Sequence, residues 1–129
     1  MASSKKQPVF PARGAKPIGP YSPAVRTGNF LFTSGQIGLD PQTGKLVSEG
    51  VETEARQALT NLKLLVEAGG FSLDMVVKTT LYLTNIADFA AVNGVYAEFF
   101  PSEPPARSTV QVSALPAGAS IEIEAIAAL

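Results

Sequence analysis

The hydrophobic positions of this chain change their spacing along its length, and each change predicts a different element. From Val51 to Val66 they recur at every third or fourth residue, which indicates one face of a helix. Gly69 and Gly70 follow directly and predict the end of that helix. Over residues 75–84 apolar and polar side chains alternate, and Val and Thr are frequent. This segment is therefore predicted to be a strand.

A second helix is predicted between Asn85, which can cap its first turn, and Pro101, which cannot continue it. Its apolar stripe consists of Phe89, Val92, Tyr96 and Phe99. The spacing of these four residues is typical of a helix that covers one face of a sheet. We expect the helix to end near Phe100.

The remaining strands are predicted from turn signals and β-rich composition. Gly28 and Asn29 form a two-residue connection between short apolar runs and predict a tight hairpin. Residues 40–44 predict a further turn, and residues 107–113 and 120–129 predict the last two strands. The two helices are expected to cover one face of the sheet that these strands form.

The first twenty residues are rich in Pro, Gly and Lys and have no periodicity, so they are expected to form an extended arm. Regular structure is expected to begin near Tyr21. No apolar leader follows Lys5 and Lys6, and no apolar run is long enough to span a bilayer, so neither secretion nor membrane insertion is expected. We expect a cytoplasmic protein. A mitochondrial location stays open because residues 1–16 are basic and lack acidic residues.

Alternation assigns the strand residues to two faces of the sheet. The face expected beneath the helices contains Val77, Thr79, Leu81, Ser108, Val110, Val112, Ile121 and Ile123. The opposite face is expected to carry Val76, Lys78, Thr80, Tyr82, Arg107, Thr109, Gln111, Glu122, Glu124 and Ile126. This second set is too polar for a core and too apolar for open water. It indicates an interface between identical subunits with a ligand site in its polar part, provided that the register is correct.

The composition excludes several kinds of chemistry. Of 129 residues, 46% are hydrophobic and 16% are charged, which is typical of one globular domain. Neither cysteine nor histidine occurs, so thiol nucleophiles, Ser-His-Asp triads and His or Cys metal sites are ruled out. The net charge is −1 and the basic residues form no run, so nucleic acid is not an expected partner. Carboxylate acid–base chemistry and anion binding by arginine remain.

Arg107 and Glu122 are the leading candidates, because both are charged residues within apolar strands. An ionised group is costly to bury without a partner, so such residues either pair with each other or bind a charged ligand. The planar guanidinium of Arg107 suits a carboxylate, and Glu122 can deprotonate a water. A structural ion pair of Arg107 with Glu122 or Glu124 is about as plausible.

Four further residues are weaker candidates. Ser34 and Gly35 end a predicted strand, where a glycine permits close approach but equally forms a plain bulge. Asn93 lies on the stripe of the second helix, where a hydrogen-bonded core amide is the ordinary explanation. Tyr21 lies in a rigid Pro-rich segment as an aromatic lid or a packing residue.

Six motifs in combination resemble the Rid family, also called YjgF, of reactive-intermediate imine deaminases. They are Ile18-Gly19-Pro20-Tyr21-Ser22, Thr33-Ser34-Gly35-Gln36-Ile37, Val76-Val77-Lys78-Thr79-Thr80, Asp88-Phe89 with Val92-Asn93, Pro105-Ala106-Arg107-Ser108 and Ile121-Glu122-Ile123-Glu124-Ala125-Ile126-Ala127. The resemblance extends from Ala15 to the end and implies one domain over residues 15–129 after an arm of residues 1–14. It also implies a chorismate-mutase-like α+β fold, in which two helices pack on one face of a mixed sheet, and a homotrimer with sites between subunits.

The resemblance further implies hydrolysis of 2-iminobutanoate and 2-iminopropanoate to 2-oxo acids and ammonia, without metal or cofactor. Arg107 would bind the substrate carboxylate and Glu122 would hold the attacking water. Tyr21, Ser34 and Asn93 would line the pocket, and backbone groups of Gly35 and Thr109 would bind the ligand. Thr109 departs from the cysteine that many members have, and Pro23 departs from a commoner glutamine.

Three other functions are kept as alternatives. The same pocket would serve a non-catalytic protein that binds a small carboxylate such as a 2-oxo acid. Ribonuclease activity is poorly supported, because histidine and a basic surface stripe are both missing. A chaperone-like activity would be independent of Arg107 and Glu122, which separates it from catalysis at the pocket.

Overall fold

A computed structural model describes residues 5–12, 17 and 19–129. They form one mixed sheet with two helices on one face, as the α+β prediction requires. The strands are β1 (Gln7–Val9), β2 (Ala24–Thr27), β3 (Phe30–Thr33), β4 (Val76–Leu83), β5 (Ala106–Gln111) and β6 (Ile121–Ala128). The helices are α1 (Val51–Ala68) and α2 (Phe89–Phe99). The predicted hairpin, α1 and the later strands are confirmed within one or two residues, whereas Asn85 is followed first by a 3-10 turn (Ile86–Asp88) and only then by α2.

The strand order is β1-β2-β3-β6-β4-β5, so β6, the last strand, lies in the middle of the sheet. β4 and β5 are parallel and are connected through α2, whereas the other neighbouring strands are antiparallel. The helices pack on the face of the sheet to which the central strands β6 and β4 contribute buried residues. β5 is an edge strand, and its outer side is free of a neighbouring strand in the described chain.

The core lies between α1, α2 and the covered face of the sheet. The buried residues of α1 repeat as the sequence predicts, from Ala55 through Leu59 and Leu62 to Val66. Gly69 ends the helix, and Arg26 of β2 donates from Nη1 to the Gly69 carbonyl oxygen at 3.0 Å. A cation at a helix C-terminus satisfies a free carbonyl and favours the helix dipole.

The N-terminal arm contains a strand that its composition did not predict. Gln7–Val9 pairs with β2, with Pro8 opposite Val25, so the expectation that structure begins near Tyr21 is wrong. An edge strand tolerates Pro8 because one side of it needs no ladder hydrogen bond. The predicted boundary between residues 14 and 15 lies outside the described residues.

A β-bulge reverses the predicted orientation of two residues at the start of β4. Val76 pairs with Ala127 and Lys78 pairs with Ile126, so Val77 is an extra residue on β4. Val76 is therefore buried and Val77 is exposed, the opposite of the prediction. An inserted residue shifts the period-2 alternation by one position, and this shift is not visible in the sequence.

The predicted faces of β5 are also wrong. Arg107 and Thr109 pair with Thr79 and Leu81, both buried, and so lie on the face that the helices cover. The alternate residue Val110 lies on the open face and is 42% exposed. The polar composition of β5 left the choice between its faces undetermined, and the parallel register with β4 decides it.

The open face of the sheet carries exposed apolar side chains beside polar ones. Phe30 and Phe32 of β3 are 47% and 43% exposed, and their rings lie 6.2 Å apart. Val77 and Val110 extend the apolar surface on the other side of β6. Apolar clusters of this kind on a sheet face are typical of protein interfaces. In the described part of the chain no helix is long and apolar enough to cross a membrane.

Candidate functional site

Glu122 lies near the start of β6, with its side chain on the open face and directly against Gly35. If Gly35 had a Cβ, that atom would lie 1.8 Å from Oε2 of Glu122 and 2.5 Å from its Cδ. Only a glycine leaves room for the carboxylate there. The close approach is fixed by the backbone, because the N–H of Gln36 donates to the Ile123 carbonyl oxygen at 2.7 Å and the reciprocal bond is 2.9 Å.

The surroundings of Glu122 make its carboxyl group a better proton acceptor than an exposed glutamate. Partial burial raises the pKa of Glu122, and the neighbouring charge of Glu124 raises it further. Glu124 itself accepts a hydrogen bond from the Tyr82 hydroxyl at 3.1 Å. Burial and this bond to a carboxylate raise the pKa of Tyr82. Glu124 and Tyr82 are thus hydrogen-bonded to each other, whereas Glu122 forms no protein hydrogen bond among the described residues.

Ser34 immediately precedes Gly35 in the chain, and it is hydrogen-bonded to the segment that follows Tyr21. The Ser34 hydroxyl donates to the Ser22 carbonyl oxygen at 2.7 Å, and its backbone N–H donates to the Pro23 carbonyl oxygen at 2.8 Å. These bonds join the segment after Tyr21 to the residue before Gly35. Tyr21 is half exposed, so its ring is available to a ligand or to another subunit.

We expect Glu122→Gln to raise the melting temperature near pH 7 and to change it little near pH 3.5. The pKa of Glu122 is raised on folding, so the folded protein binds this proton more tightly than the unfolded chain does. Ionisation above about pH 4.5 therefore costs stability, and the cost grows as the pH rises through the folded pKa. Glutamine carries no charge at any pH. Calorimetry at the two pH values measures the difference.

Glu67→Gln is the control for this experiment, because it removes an exposed glutamate of α1. A lower melting temperature for Glu122→Gln near pH 7 would contradict the expectation. It would show that ionised Glu122 has a stabilising partner in the folded protein.

Arg107 lies on the covered face at the edge of the sheet, where three side chains of α2 contact it. Its Nη2 donates to Oδ1 of Asn93 at 2.7 Å. Its Cζ lies 4.7 Å from the ring centroid of Tyr96 and 5.4 Å from that of Phe89. Stacked aromatic rings stabilise a guanidinium and fix its plane. One of its five N–H groups is used by Asn93, which leaves the others for a ligand.

The aromatic wall behind Arg107 is itself anchored in the core. The Tyr96 and Thr79 hydroxyl groups lie 2.8 Å apart in a buried hydrogen bond. Burial raises the pKa of Tyr96, while the bond to Thr79 and the charge of Arg107 lower it. Thr109 lies two residues after Arg107 on β5. Its side-chain oxygen is buried and has no hydrogen-bond partner in the described chain. A buried hydroxyl without a partner is costly and is often satisfied by a ligand.

The structure therefore divides the predicted site residues into two clusters. The carboxylate cluster is built on Gly35 and Glu122, and Ser34 and Tyr21 belong to the two segments joined next to Gly35. The arginine cluster consists of Asn93, Arg107 and Thr109. β4 separates them, and the register places Arg107 opposite Thr79 but Glu122 opposite Tyr82. At usual strand dimensions, this is about 10 Å across the sheet and about 10 Å along it, and the side chains project from opposite faces.

The expectation that Arg107 and Glu122 share one face is thus wrong. Among the described residues of one subunit, Arg107 forms no ion pair with Glu122 or Glu124, so the structural ion pair is not found within a subunit. Among the described residues, no three acidic side chains gather closely enough to hold a metal ion.

Phe89 and Tyr96 were predicted only as core residues of α2. Their contact with Arg107 was missed because it depends on the register of β5. A signal for it was present in the sequence, since Phe89, Asn93 and Tyr96 follow a spacing of four and three and so lie on one helical face.

The family model described as Endoribonuclease L-PSP matches residues 12–129, so the chain belongs to this family, which is also the YjgF/Rid family. The predicted family is therefore confirmed. The match begins within the predicted N-terminal arm and covers the whole sheet from β2 onwards.

Similar proteins include both archaeal and human members. A RutC family protein of Pyrococcus horikoshii is 51% identical over 122 residues, which cover 95% of this chain and 97% of that protein. The human 2-iminobutanoate/2-iminopropanoate deaminase is 47% identical over 127 residues, which cover 98% of this chain and 93% of that protein. The crystal structure of E. coli TdcF with bound serine has a TM-score of 0.91 at 41% identity and covers 95% of this chain and 98% of that one.

Proposed function

We propose that this protein is an imine deaminase that hydrolyses small 2-imino acids, such as 2-iminobutanoate and 2-iminopropanoate, to 2-oxo acids and ammonia. The observation that carries the proposal is the Glu122 carboxylate, which lies against Gly35 with a raised pKa and with no hydrogen-bond partner in the part of the chain that the structure describes. The human relative that bears the deaminase name is similar over nearly the whole chain. A solved relative contains bound serine, which, like a 2-imino acid, is a small molecule with a carboxylate.

Hydrolysis of an imine needs a water, a base and little else. Glu122 takes a proton from the water, whose oxygen forms a bond to the imine carbon while the C=N bond becomes single. The same carboxyl group then returns the proton to nitrogen. The carboxylate then takes the proton of the new hydroxyl group and delivers it to the amino nitrogen. As the C–N bond breaks, ammonia leaves and the carbonyl group of the 2-oxo acid forms. A carboxyl group whose pKa lies above the ordinary glutamate value serves both steps better than an exposed one.

Arg107 would bind the substrate carboxylate through two parallel N–H···O hydrogen bonds. The Tyr96 and Phe89 rings and Asn93 fix its guanidinium before the ligand arrives, so little conformational entropy is lost on binding. The backbone of Thr109, two residues away on β5, would hydrogen-bond the ligand, and its side-chain hydroxyl has no partner among the described residues. A threonine at this position is therefore compatible with binding.

The two clusters complete one site only if subunits assemble. We propose a homotrimer in which Glu122 of one subunit faces Arg107 of the partner subunit. The apolar residues on the open face, among them Phe32 and Val110, supply a surface for such contacts. Two different surfaces that meet head to tail close into a ring, and the family resemblance sets its size at three.

The direct test generates each imine in the assay with an amino-acid oxidase and traps it with semicarbazide. The protein is expected to lower the semicarbazone signal, because hydrolysis removes the imine before it is trapped. Saturable binding of a 2-oxo acid without any fall in signal would instead favour a carboxylate-binding protein. RNA cleavage or client protection that persists without Arg107 and Glu122 would have to arise outside this site.

The shared site predicts that two variants, each with a strongly reduced kcat/KM, restore activity when their subunits are mixed and assayed at substrate concentrations below KM. Glu122→Gln and Arg107→Ala each remove one half of every site in their own trimers. In randomly reassorted mixed trimers, about a quarter of the sites combine an intact Glu122 with an intact Arg107 of the partner subunit. Activity near a quarter of the wild-type value is expected after denaturation and joint refolding.

Mixing the folded variants without subunit exchange is the control for the complementation, and it is expected to yield no activity. Joint refolding that never restores hydrolysis, although mixed trimers are demonstrated by mass spectrometry, would place both residues in one subunit's site.

A further inference from the structure

Glu54 is a buried charged residue that the proposed reaction does not use. It lies in the first turns of α1 and is 5% exposed. Its Oε1 accepts hydrogen bonds from the backbone N–H groups of Ser120 at 2.5 Å and Ile121 at 3.4 Å. These two residues immediately precede Glu122. The carboxylate of Glu54 is therefore bound to the segment that carries the proposed base.

The segment that follows Gly35 also packs on this part of α1. A Cβ on Gly38 would lie 2.9 Å from Cγ of Glu54 and 2.7 Å from its backbone oxygen, so residue 38 packs closely on the helix. About two turns further along the same side of α1, Asn61 donates to the carbonyl oxygens of Ile37 at 3.1 Å and Leu39 at 2.8 Å.

The segment after Gly35 is thus held by α1, and so is the start of β6. The Gln36–Ile123 backbone bonds and these contacts with α1 together set the distance between the two segments, on which the position of the Glu122 carboxylate against Gly35 depends. Glu54 contacts both segments. Its side-chain oxygen binds the start of β6, and Gly38 of the segment after Gly35 packs against it.

We propose that Glu54 is a positioning residue whose carboxylate fixes the start of β6 and thereby holds Glu122 against Gly35. The catalytic part of this inference rests on the proposed function. Glu54 acts as a hydrogen-bond acceptor, because both of its partners are backbone N–H groups and it forms no ion pair within the described chain. Its place near the N-terminus of α1 also favours an acceptor oxygen there.

Two substitutions separate acceptor geometry from charge. Glu54→Gln keeps the side-chain length and an acceptor oxygen but removes the charge. Glu54→Asp keeps the charge but withdraws the oxygens by about 1.5 Å, the length of one C–C bond. If position matters, glutamine replaces glutamate and aspartate does not.

The experiment measures kcat and KM with 2-iminopropanoate at a temperature where each variant is folded. Glu54→Asp is expected to lower kcat by about tenfold to a hundredfold with KM within about twofold, since a displacement near 1 Å misaligns the base. Glu54→Gln is expected to stay within about threefold of the wild type. Val66→Ala, a buried change at the far end of α1, is the control that lowers the melting temperature without lowering kcat.

A second measurement is independent of activity, so it still tests Glu54 if the wild type proves unable to hydrolyse imines. Carbon-detected NMR follows the titration of Glu122 in each variant, with Glu124 and Tyr82, the titratable groups that face it, unchanged. Glu54→Asp is expected to move the Glu122 titration towards that of an exposed glutamate, and Glu54→Gln is expected to leave it in place. A wild-type titration and kcat in Glu54→Asp would overturn the inference, and so would equal losses in both variants.

Discussion

Glu122→Gln is expected to lower kcat for 2-imino acid hydrolysis by about 10²- to 10⁴-fold, because an amide cannot take a proton from water. KM is expected to change little, since Arg107 still binds the substrate carboxylate. Steady-state rates of semicarbazone loss measure both constants. In the wild type, kcat/KM is expected to rise with pH as Glu122 ionises. Because the pKa of Glu122 is raised, this rise is expected at a higher pH than for an exposed glutamate.

Glu124→Gln is the matched control for this variant, because it removes the same charge two residues along the same face of β6. Its carboxylate is already bonded to the Tyr82 hydroxyl, so it is not free to activate water. A larger loss of kcat in Glu124→Gln than in Glu122→Gln would assign the base to Glu124 and contradict the proposed mechanism.

Arg107→Ala is expected to lower kcat/KM by about a hundredfold or more, mostly through KM, because the substrate carboxylate loses its charged partner. Arg107→Lys is expected to be impaired as well. A lysine keeps the charge, but it cannot form two parallel hydrogen bonds or stack as a plane between Phe89 and Tyr96. The measurement is the same assay over a wide substrate range.

Arg56→Ala controls for the loss of an arginine elsewhere. Arg56 is exposed and pairs with Glu98 at 2.8 Å, and exposed pairs contribute little to stability. Its kcat/KM is expected to equal that of the wild type. If Arg107→Ala lost less than about tenfold in kcat/KM, the substrate carboxylate would not be bound by Arg107.

The elements that the sequence predicts well are those whose burial pattern depends on local periodicity alone. α1 has one apolar face over five turns, and β6 alternates strictly between buried and half-buried residues from Ile121 onwards. Both patterns allow only one orientation towards the core. The correct placement of Glu122 on the open face follows from the second pattern.

The arrangement of the site was not predictable in the same way, although all its candidate residues were named. β5 is an edge strand with a polar side chain at most positions, so its hydrophobic pattern does not distinguish the two faces. Its parallel pairing with β4 turns Arg107 towards α2, and aromatic side chains make a buried-side cation tolerable there. That arrangement arises from contacts between segments far apart in sequence.

Glu54 shows a different limit of sequence reasoning. Within the helical pattern it is one more acidic residue in the first turn of α1, where a negative charge is ordinary. Its role depends on two amides that lie 66 and 67 residues further along the chain. Nothing in the local sequence distinguishes it from Glu52.

The space between Gly35 and Glu122 has an evolutionary consequence. Every missense change in a glycine codon adds a Cβ, and any Cβ at residue 35 would occupy the place of the Glu122 carboxylate. The flexible glutamate would swing away while the sheet stayed intact, so such a mutant would be a folded protein without its base. A single substitution at this codon would therefore remove the proposed imine hydrolysis, and no substitution there would reduce its rate only in part.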